Sequence, residues 1–382
     1  MKFAHMGDCH LGGWRQPELK ELNFKSFQTA VDKCIREKID FLLITGDLFD
    51  NPYPSIDTLK DSFQEFRKLK DSGIPVFLIA GSHDYSASGK TFLDVLEKAG
   101  FCKNVSQYEE KNNSLILLPT LYKNVALYGF PGKKSALEVE EIENMKIQDS
   151  PGLFKILMLH TAIRDAAPNP AIKAVDQSKL PKVDYLALSH LHINYSKEGR
   201  VYSGPIFPNS LSELEELHSG FFYIFDNGKI RKEEIKLKPL LVLDIEIKDA
   251  LSATEEILAK VDSLFLKDSI FILKLSGILE KGKTSDIDFQ KIESLALKKG
   301  AYVFLKSTTR LHMPEPEITL EILDTPNLEN EIIKKFEEAN PSRFNQHIPA
   351  LIKSLQSEKL EDERTAVFED RVMMEVKKVL NI

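Results

Sequence analysis

The amino-acid sequence predicts an α/β fold with a smaller second module and a helical tail. Three observations lead there. Short apolar runs alternate with longer amphipathic stretches through the first half, the pattern of strands joined by helices. After Val201 the pattern changes to hairpins, and from Leu240 a β-α-β-α-β succession follows. Beyond Pro314 and Pro316 the chain turns Glu/Lys-rich and helical.

In chain order, strands are expected at residues 2–7, 40–45, 74–80, 114–119, 125–130, 155–159 and 185–189. Helices are expected at 23–37 and 55–72. The second opens at Pro54-Ser55, where a serine can accept a first-turn N–H, and stops before Gly73, which tolerates a left-handed terminus. Gly220 to Phe225 and the turn Asp226-Asn227-Gly228-Lys229 read as a hairpin, and residues 236–239 as a linker. In the second module, 240–247, 270–275 and 301–306 read as strands. A capping-box signature at Ser252 to Glu255 precedes a helix bearing Ile257, Val261 and Leu264, and Gly300 closes a helix over 286–299. These marks divide the chain into residues 1–238, 239–313 and 314–382.

At 382 residues, with 42% apolar and 29% charged residues, the chain has room for two or three domains and is too apolar to be wholly disordered. No apolar run approaches the roughly 20 residues that span a bilayer, so no membrane partner is expected. Residues 1–8 read directly as a strand ending in an acid, which predicts no leader ahead of the fold. Three cysteines without a Cys-x-x-Cys pair fit a reducing cytoplasm. A net charge of −7 excludes coating nucleic acid through bulk positive charge, so phosphates would have to be met by local basic groups or bound cations.

The chemistry stands at the strand ends. Five apolar runs deliver polar groups at their carboxyl ends: Asp8 and His10, Asp47, Ser82 with His83 and Asp84, His160, and Ser189 with His190 and His192. In α/β sheets ligands gather just beyond those ends, so the side chains should converge. Mixed carboxylate and imidazole donors without thiolates suit manganese, iron or zinc, and two ions sharing a carboxylate can clamp the oxygens of a phosphoester. A proton donor beside the leaving group is also required, and His83 fits that role. His5, further back on its strand, reads as a core histidine. Gly89-Lys90-Thr91 lacks the glycine that a P-loop needs at position 84, where Asp84 stands. Trp14-Arg15 reads equally as a packing element or a nucleic-acid contact.

The ordered set Asp-x-His, Gly-Asp-x-x-Asp, Gly-x-His-Asp, an isolated His and His-x-His resembles the calcineurin-like metallophosphoesterases. Asp8-Cys9-His10-Leu11-Gly12, Gly46-Asp47-Leu48-Phe49-Asp50, and Tyr202-Ser203-Gly204-Pro205 followed by Glu213 are similar to the DNA double-strand-break repair nucleases of the SbcD and Mre/Rad type. The resemblance covers about the first 235 residues and implies a two-sheet sandwich with flanking helices, a small α+β capping domain and a helical C-terminal tail. It implies two divalent metal ions, manganese foremost. Asp8, His10, Asp47 and His192 would hold one; Asp47, His160, His190 and Ser82 would hold the other; His83 would be catalytic. It further implies a metal-dependent nuclease acting on DNA ends, an SMC-like ABC-type repair ATPase as partner of the tail, and a homodimer through helices near 55–72 and 91–98. The tail stripes are Ile348, Leu351, Ile352 and Leu355, then Phe368 to Leu380. The alternatives are a metallophosphoesterase for another phosphoester, or a catalytically weak scaffold binding DNA or a partner. Two departures bear on this choice. Ser82 replaces the usual Asn with a shorter, weaker neutral donor. Asp50 replaces a common His and is expected to repel phosphate.

Overall fold

A computed structural model describes residues 1–86, 91–111, 114–167, 169–313, 328–339, 341–357 and 365–380. Gly89-Lys90 and Pro314 with Pro316 lie outside the described residues. By its internal contacts the chain forms two units. The first comprises Met1–Glu246, Ser252–Ser276 and Ile287–Thr309; the second comprises Ile247–Leu251, Gly277–Asp286 and Arg310–Ile382.

Two six-stranded sheets make the centre of the first unit. One runs, in spatial order, Lys229–Ile235, Gly220–Asp226, Lys2–Met6, Phe41–Thr45, Val76–Ile79, Lys103–Asn104. The other runs Tyr195–Lys197, Arg200–Tyr202, Tyr185–Ser189, Phe154–His160, Val125–Phe130, Thr120–Tyr122. The strands expected to deliver functional groups are parallel to their neighbours, Lys2–Met6 to Phe41–Thr45 to Val76–Ile79, and Phe154–His160 to Tyr185–Ser189. Their apolar runs are continuous because both faces are covered. Phe3, Phe41, Leu43, Phe77 and Ile79 pack with Val125, Leu127, Ile156, Met158 and Tyr185 between the sheets. The alternate residues Ala4, Met6, Leu42, Ile44 and Leu78 face a core shared with Phe27, Val31, Phe66, Leu69 and Leu96 of the flanking helices.

The expected sandwich with helices outside is therefore present, with differences of detail. The first helix is Pro17–Arg36, starting six residues before the expected 23: Pro17 occupies the first turn, where its missing N–H costs nothing, and Leu19 and Leu22 are buried. The second is Ile56–Asp71, and Ser55 caps it by accepting the Thr58 N–H. The outer face of the second sheet is covered by a three-stranded sheet, Tyr108–Lys111, Ser114–Leu117 and Met145–Ile147, with the Glu138–Ile142 helix. Its Tyr108–Lys111 strand is wholly exposed and has no apolar face to betray it in the sequence.

The later β-α-β-α-β succession is Leu240–Glu246, Ala250–Asp262, Ile270–Ile278, Phe289–Lys298 and Val303–His312. Ser252 is not a cap: its helix already runs from Ala250, and the Asp249 carboxylate takes the Leu251 N–H. Ile270, Ile272, Val303 and Leu305 of this sheet pack with Leu19, Leu22, Phe207 and Leu214 in one core of the first unit. In the second unit the helices are Leu328–Ala339, Ile348–Leu355 and Thr365–Leu380, the last two packed together. No helix among the described residues is long and apolar enough to cross a membrane.

Candidate metal centre

Asp47 lies at the middle of the converging groups. It follows Gly46, which has a φ of +96°, and its own φ is +50°. Asp8, His10, His190 and His192 also adopt positive φ, at 47°, 43°, 101° and 48°. Side chains with a Cβ rarely take this conformation, and its concentration here marks a backbone bent sharply to aim donors. Gly81 completes the bend, because a Cβ there would collide with the carboxylate and amide of Asp47.

Asp47 Oδ2 lies 3.2 Å from His160 Nε2 and 3.7 Å from His10 Nε2. Its Oδ1 accepts the His83 amide at 2.7 Å, and the Ser82 hydroxyl donates to Oδ2 at 3.5 Å. Asp8 accepts the His190 amide on both oxygens at 3.0 and 3.1 Å, with its Oδ1 3.8 Å from His192 Nε2. His10 Nε2 and His192 Nε2 approach to 3.1 Å. Three overlapping sets each place their donor atoms within 4.8 Å of one another: Asp8, His10 and His192; Asp8, Asp47 and His160; and His10, Asp50 and His83.

The expected residues thus come together, though not all equally. His190 reaches the cluster through its amide, and its ring stands edge-on to His160 with centroids 5.2 Å apart. Ser82 is turned to Asp47. The His190 ring belongs to none of the three sets among the described residues. Asp50 lies 3.3 Å from His10 Nδ1, 3.7 Å from His83 Nδ1 and 3.4 Å from the donating Asn209 amide, so its charge is engaged by imidazoles. Trp14 is a packing residue: its Nε1 donates to the Pro208 carbonyl at 2.9 Å, and its ring meets Phe207. His5 is a core residue, bonded to the hydroxyls of Tyr185 and Thr45.

The imidazole hydrogens show what the cluster can bind. His160 Nδ1 faces the Thr45 carbonyl at 3.0 Å, and a carbonyl only accepts, so Nδ1 carries the hydrogen. His160 Nε2 is left buried without a hydrogen bond, beside a carboxylate that also has no proton to give it. His192 Nδ1 meets Glu213 Oε2 at 3.1 Å, so its Nε2 likewise turns toward Asp8 and His10. Imidazole nitrogens aimed among carboxylates in this way need positive charge, carried either as protons on the rings or as a cation between them, and divalent ions suit this donor set.

Electrostatics agree. Burial opposes charge on His160, but Asp47 and Asp8 outweigh it and raise its pKa to about 10. His192 behaves alike, with burial overcome by Asp8 and Glu213, and is raised to about 9. Burial would lift Asp47, yet His160 and His10 hold it well below the usual carboxylate range. His190 is pushed down to about 4 by burial and by His160, which leaves it neutral and able to ligate near neutral pH. Asp84, whose carboxyl takes the amides of Gly81, Leu48 and Phe49, is lifted to about 7 by burial and Asp47.

Glu213 and Asp50 are the side chains at this cluster whose contacts sequence reasoning missed. Ser210-x-x-Glu213 has capping-box spacing, and the serine does cap its helix, but the glutamate is diverted to His192 and the Asn209 amide. Asp50 stands out in the sequence as an acid where the resembled nucleases often carry His, which does not announce its contacts to His10 and His83.

An α/β sandwich of two mixed sheets, with carboxylates and imidazoles gathered at the ends of their parallel strands, defines a metal-dependent phosphoesterase. The chain belongs to the calcineurin-like phosphoesterase family, whose model matches residues 1–194, and members of this family work with a dinuclear divalent-metal site. It is similar to proteins named DNA double-strand break repair protein Mre11. That of Archaeoglobus fulgidus is 25% identical over 345 residues, 80% of this chain and 74% of the relative. That of Sulfolobus acidocaldarius is 26% identical over 315 residues, 77% and 79% respectively. With the Methanosarcina mazei protein the identity is 26% over 337 residues, 84% of this chain but 52% of the relative, so the chain spans about half of that protein.

Because His160 and His192 bind protons strongly, a cation entering at pH 7 must displace them. Calorimetric titration with Mn²⁺ should therefore give an enthalpy that changes with the buffer's ionisation enthalpy in the sense of net proton release, and affinity should rise as pH climbs toward about 9. A buffer-independent enthalpy and flat pH dependence would contradict the proton-bound description of these imidazoles.

Proposed function

We propose that the chain is a metal-dependent nuclease that hydrolyses DNA phosphodiesters during processing of double-strand breaks. The observation that carries this reading is the convergence of the buried Asp8, Asp47 and His160, donor atoms of the family's types within 4.8 Å of one another. The similarity to break-repair proteins supports DNA as the phosphoester.

In this reading Asp8, His10, Asp47 and His192 hold one ion, and Asp47, His160, His190 and Ser82 the other, with manganese as the metal. Two such ions supply positive charge to the phosphate and make bound water more acidic. His83 is the proton donor to the departing oxygen. Its Nδ1 faces the Asp50 carbonyl at 2.8 Å and donates to it, so Nε2 is the nitrogen left to carry a proton. The net charge of −7 requires local contacts to DNA phosphates, with little reading of base sequence.

The tail, residues 314–382, is proposed to dock onto the coiled coil of an SMC-like ABC-type ATPase. Support comes from its helices: Ile348, Leu351, Ile352, Val372, Val376 and Val379 are only half-buried, while Leu355, Met373 and Met374 are exposed at 67%, 53% and 65%. A homodimer is proposed through the Ile56–Asp71 and Phe92–Lys98 helices, where Ile56 is 82% and Val95 45% exposed.

Purified protein should bind more than one metal per chain and cleave DNA with Mn²⁺. His83→Ala should keep its metal while slowing cleavage roughly 10²–10⁴-fold, whereas His160→Ala should lose metal. Absence of cleavage in the wild type, or an emptied site in His83→Ala, would refute the assignment. In a second test, deleting residues 328–382 should abolish co-purification with the ATPase and spare metal content; continued binding would place the docking element elsewhere.

A further inference from the structure

The short helix Leu211–Leu217 touches the metal centre with one residue and the Leu240–Glu246, Ile270–Ile278, Val303–His312 sheet with the next two. Glu213 Oε2 lies 3.1 Å from His192 Nδ1 and also accepts the Asn209 amide at 2.9 Å. Leu214, 1% exposed, is buried with Ile270, Ile272, Val303 and Leu305 of that sheet. Glu215 Oε2 accepts from Lys274 Nζ at 2.5 Å, and Lys274 stands on the Ile270–Ile278 strand. All of these residues belong to the first unit.

We propose that Glu213 is the positioning residue of the metal centre, fixing the ring of His192, and that the Lys274–Glu215 contact holds Glu213 in place from the neighbouring sheet. The inference rests on reading His192 as a metal ligand.

A helix of seven residues holds an imidazole only as tightly as its own position is fixed. An imidazole with both nitrogens free samples two tautomers and a range of ring angles; a carboxylate at Nδ1 selects the tautomer with its lone pair on Nε2 and restricts the ring. A carboxylate on a long flexible side chain does this only if it is itself restrained. Glu213 has two restraints within its own helix end, the Asn209 amide on its oxygen and the Ser210 cap on its N–H at 3.2 Å. The remaining freedom is rotation of the short helix as a body. Leu214 in the apolar core and Glu215 on Lys274 oppose that rotation, and both act from the same sheet. A displacement of this sheet would therefore reach the metal centre at His192. His160 has a different restraint, the Thr45 carbonyl, and is not linked to this helix by it. The effect should be confined to one of the two ions.

The test uses the full chain, Mn²⁺ alone as probe, and electron paramagnetic resonance of free Mn²⁺ to count ions and measure their affinities, with melting in chelator as a control for folding. His192→Ala should lose one ion. Glu213→Ala should weaken that ion about 10–100-fold and leave the other unchanged. Glu213→Gln, which still offers an oxygen to Nδ1–H, should recover most of the loss. Lys274→Met should weaken the same ion by roughly 2–30-fold with unchanged melting. If His192→Ala keeps both ions at wild-type affinity, the ligand reading beneath the inference fails. If His192→Ala loses an ion while Glu213→Ala binds both normally, or Glu213→Gln recovers nothing, the positioning role is overturned. Wild-type affinity in Lys274→Met overturns the part assigned to the sheet.

Discussion

Everything at this site depends on keeping a nearly dry carboxylate, Asp47, surrounded by imidazoles. Asp47 is 2% exposed and Asp8 fully buried, and two carboxylates so placed are stable only if positive charge compensates them. Protons on His160 and His192 can supply it, and so can divalent cations. The same field that draws protons to these rings is the field that would draw metal, so the site's acid–base chemistry and its metal chemistry are two expressions of one electrostatic demand.

The fold meets this demand by stiffness. Residues of the two sheets interlock in a core of large side chains, among them Phe3, Phe41, Phe77 and Tyr185, which fixes the positions of the strand ends. The chain then turns abruptly: five donors take left-handed backbone conformations immediately beyond their strands. That strain is tolerated because hydrogen bonds over-determine it, as where the amides of His83 and His190 are spent on Asp47 and Asp8. The carboxylates thus hold loops in place and, in the proposed reading, also offer oxygens to a cation, so a substitution at either position should disturb both.

Much of the centre was legible in the sequence because each donor follows an apolar run, and a parallel sheet brings such endings together whatever the intervening loops contain. What escaped was information carried by contacts distant in the chain. Nothing local marks Glu213 as the partner of His192, since its capping-box spacing has a sufficient local explanation. For Asp50 the contacts that matter, to His10 and His83, come from residues more than thirty positions away in the chain. Among the fold elements, strands of two to four residues such as Lys103–Asn104 are too short to display a period. Ser252 shows the converse error: a good capping signature was overridden because the helix continues one turn earlier, to Ala250.

In the proposed reading Asp47 lies between two cations rather than beside one. Diffraction from Mn²⁺-soaked crystals, with anomalous data collected at the manganese edge, tests it directly. Two peaks about 3.5–4 Å apart with Asp47 contacting both are the expected result. A single peak, or peaks that leave Asp47 without contact, would contradict the account.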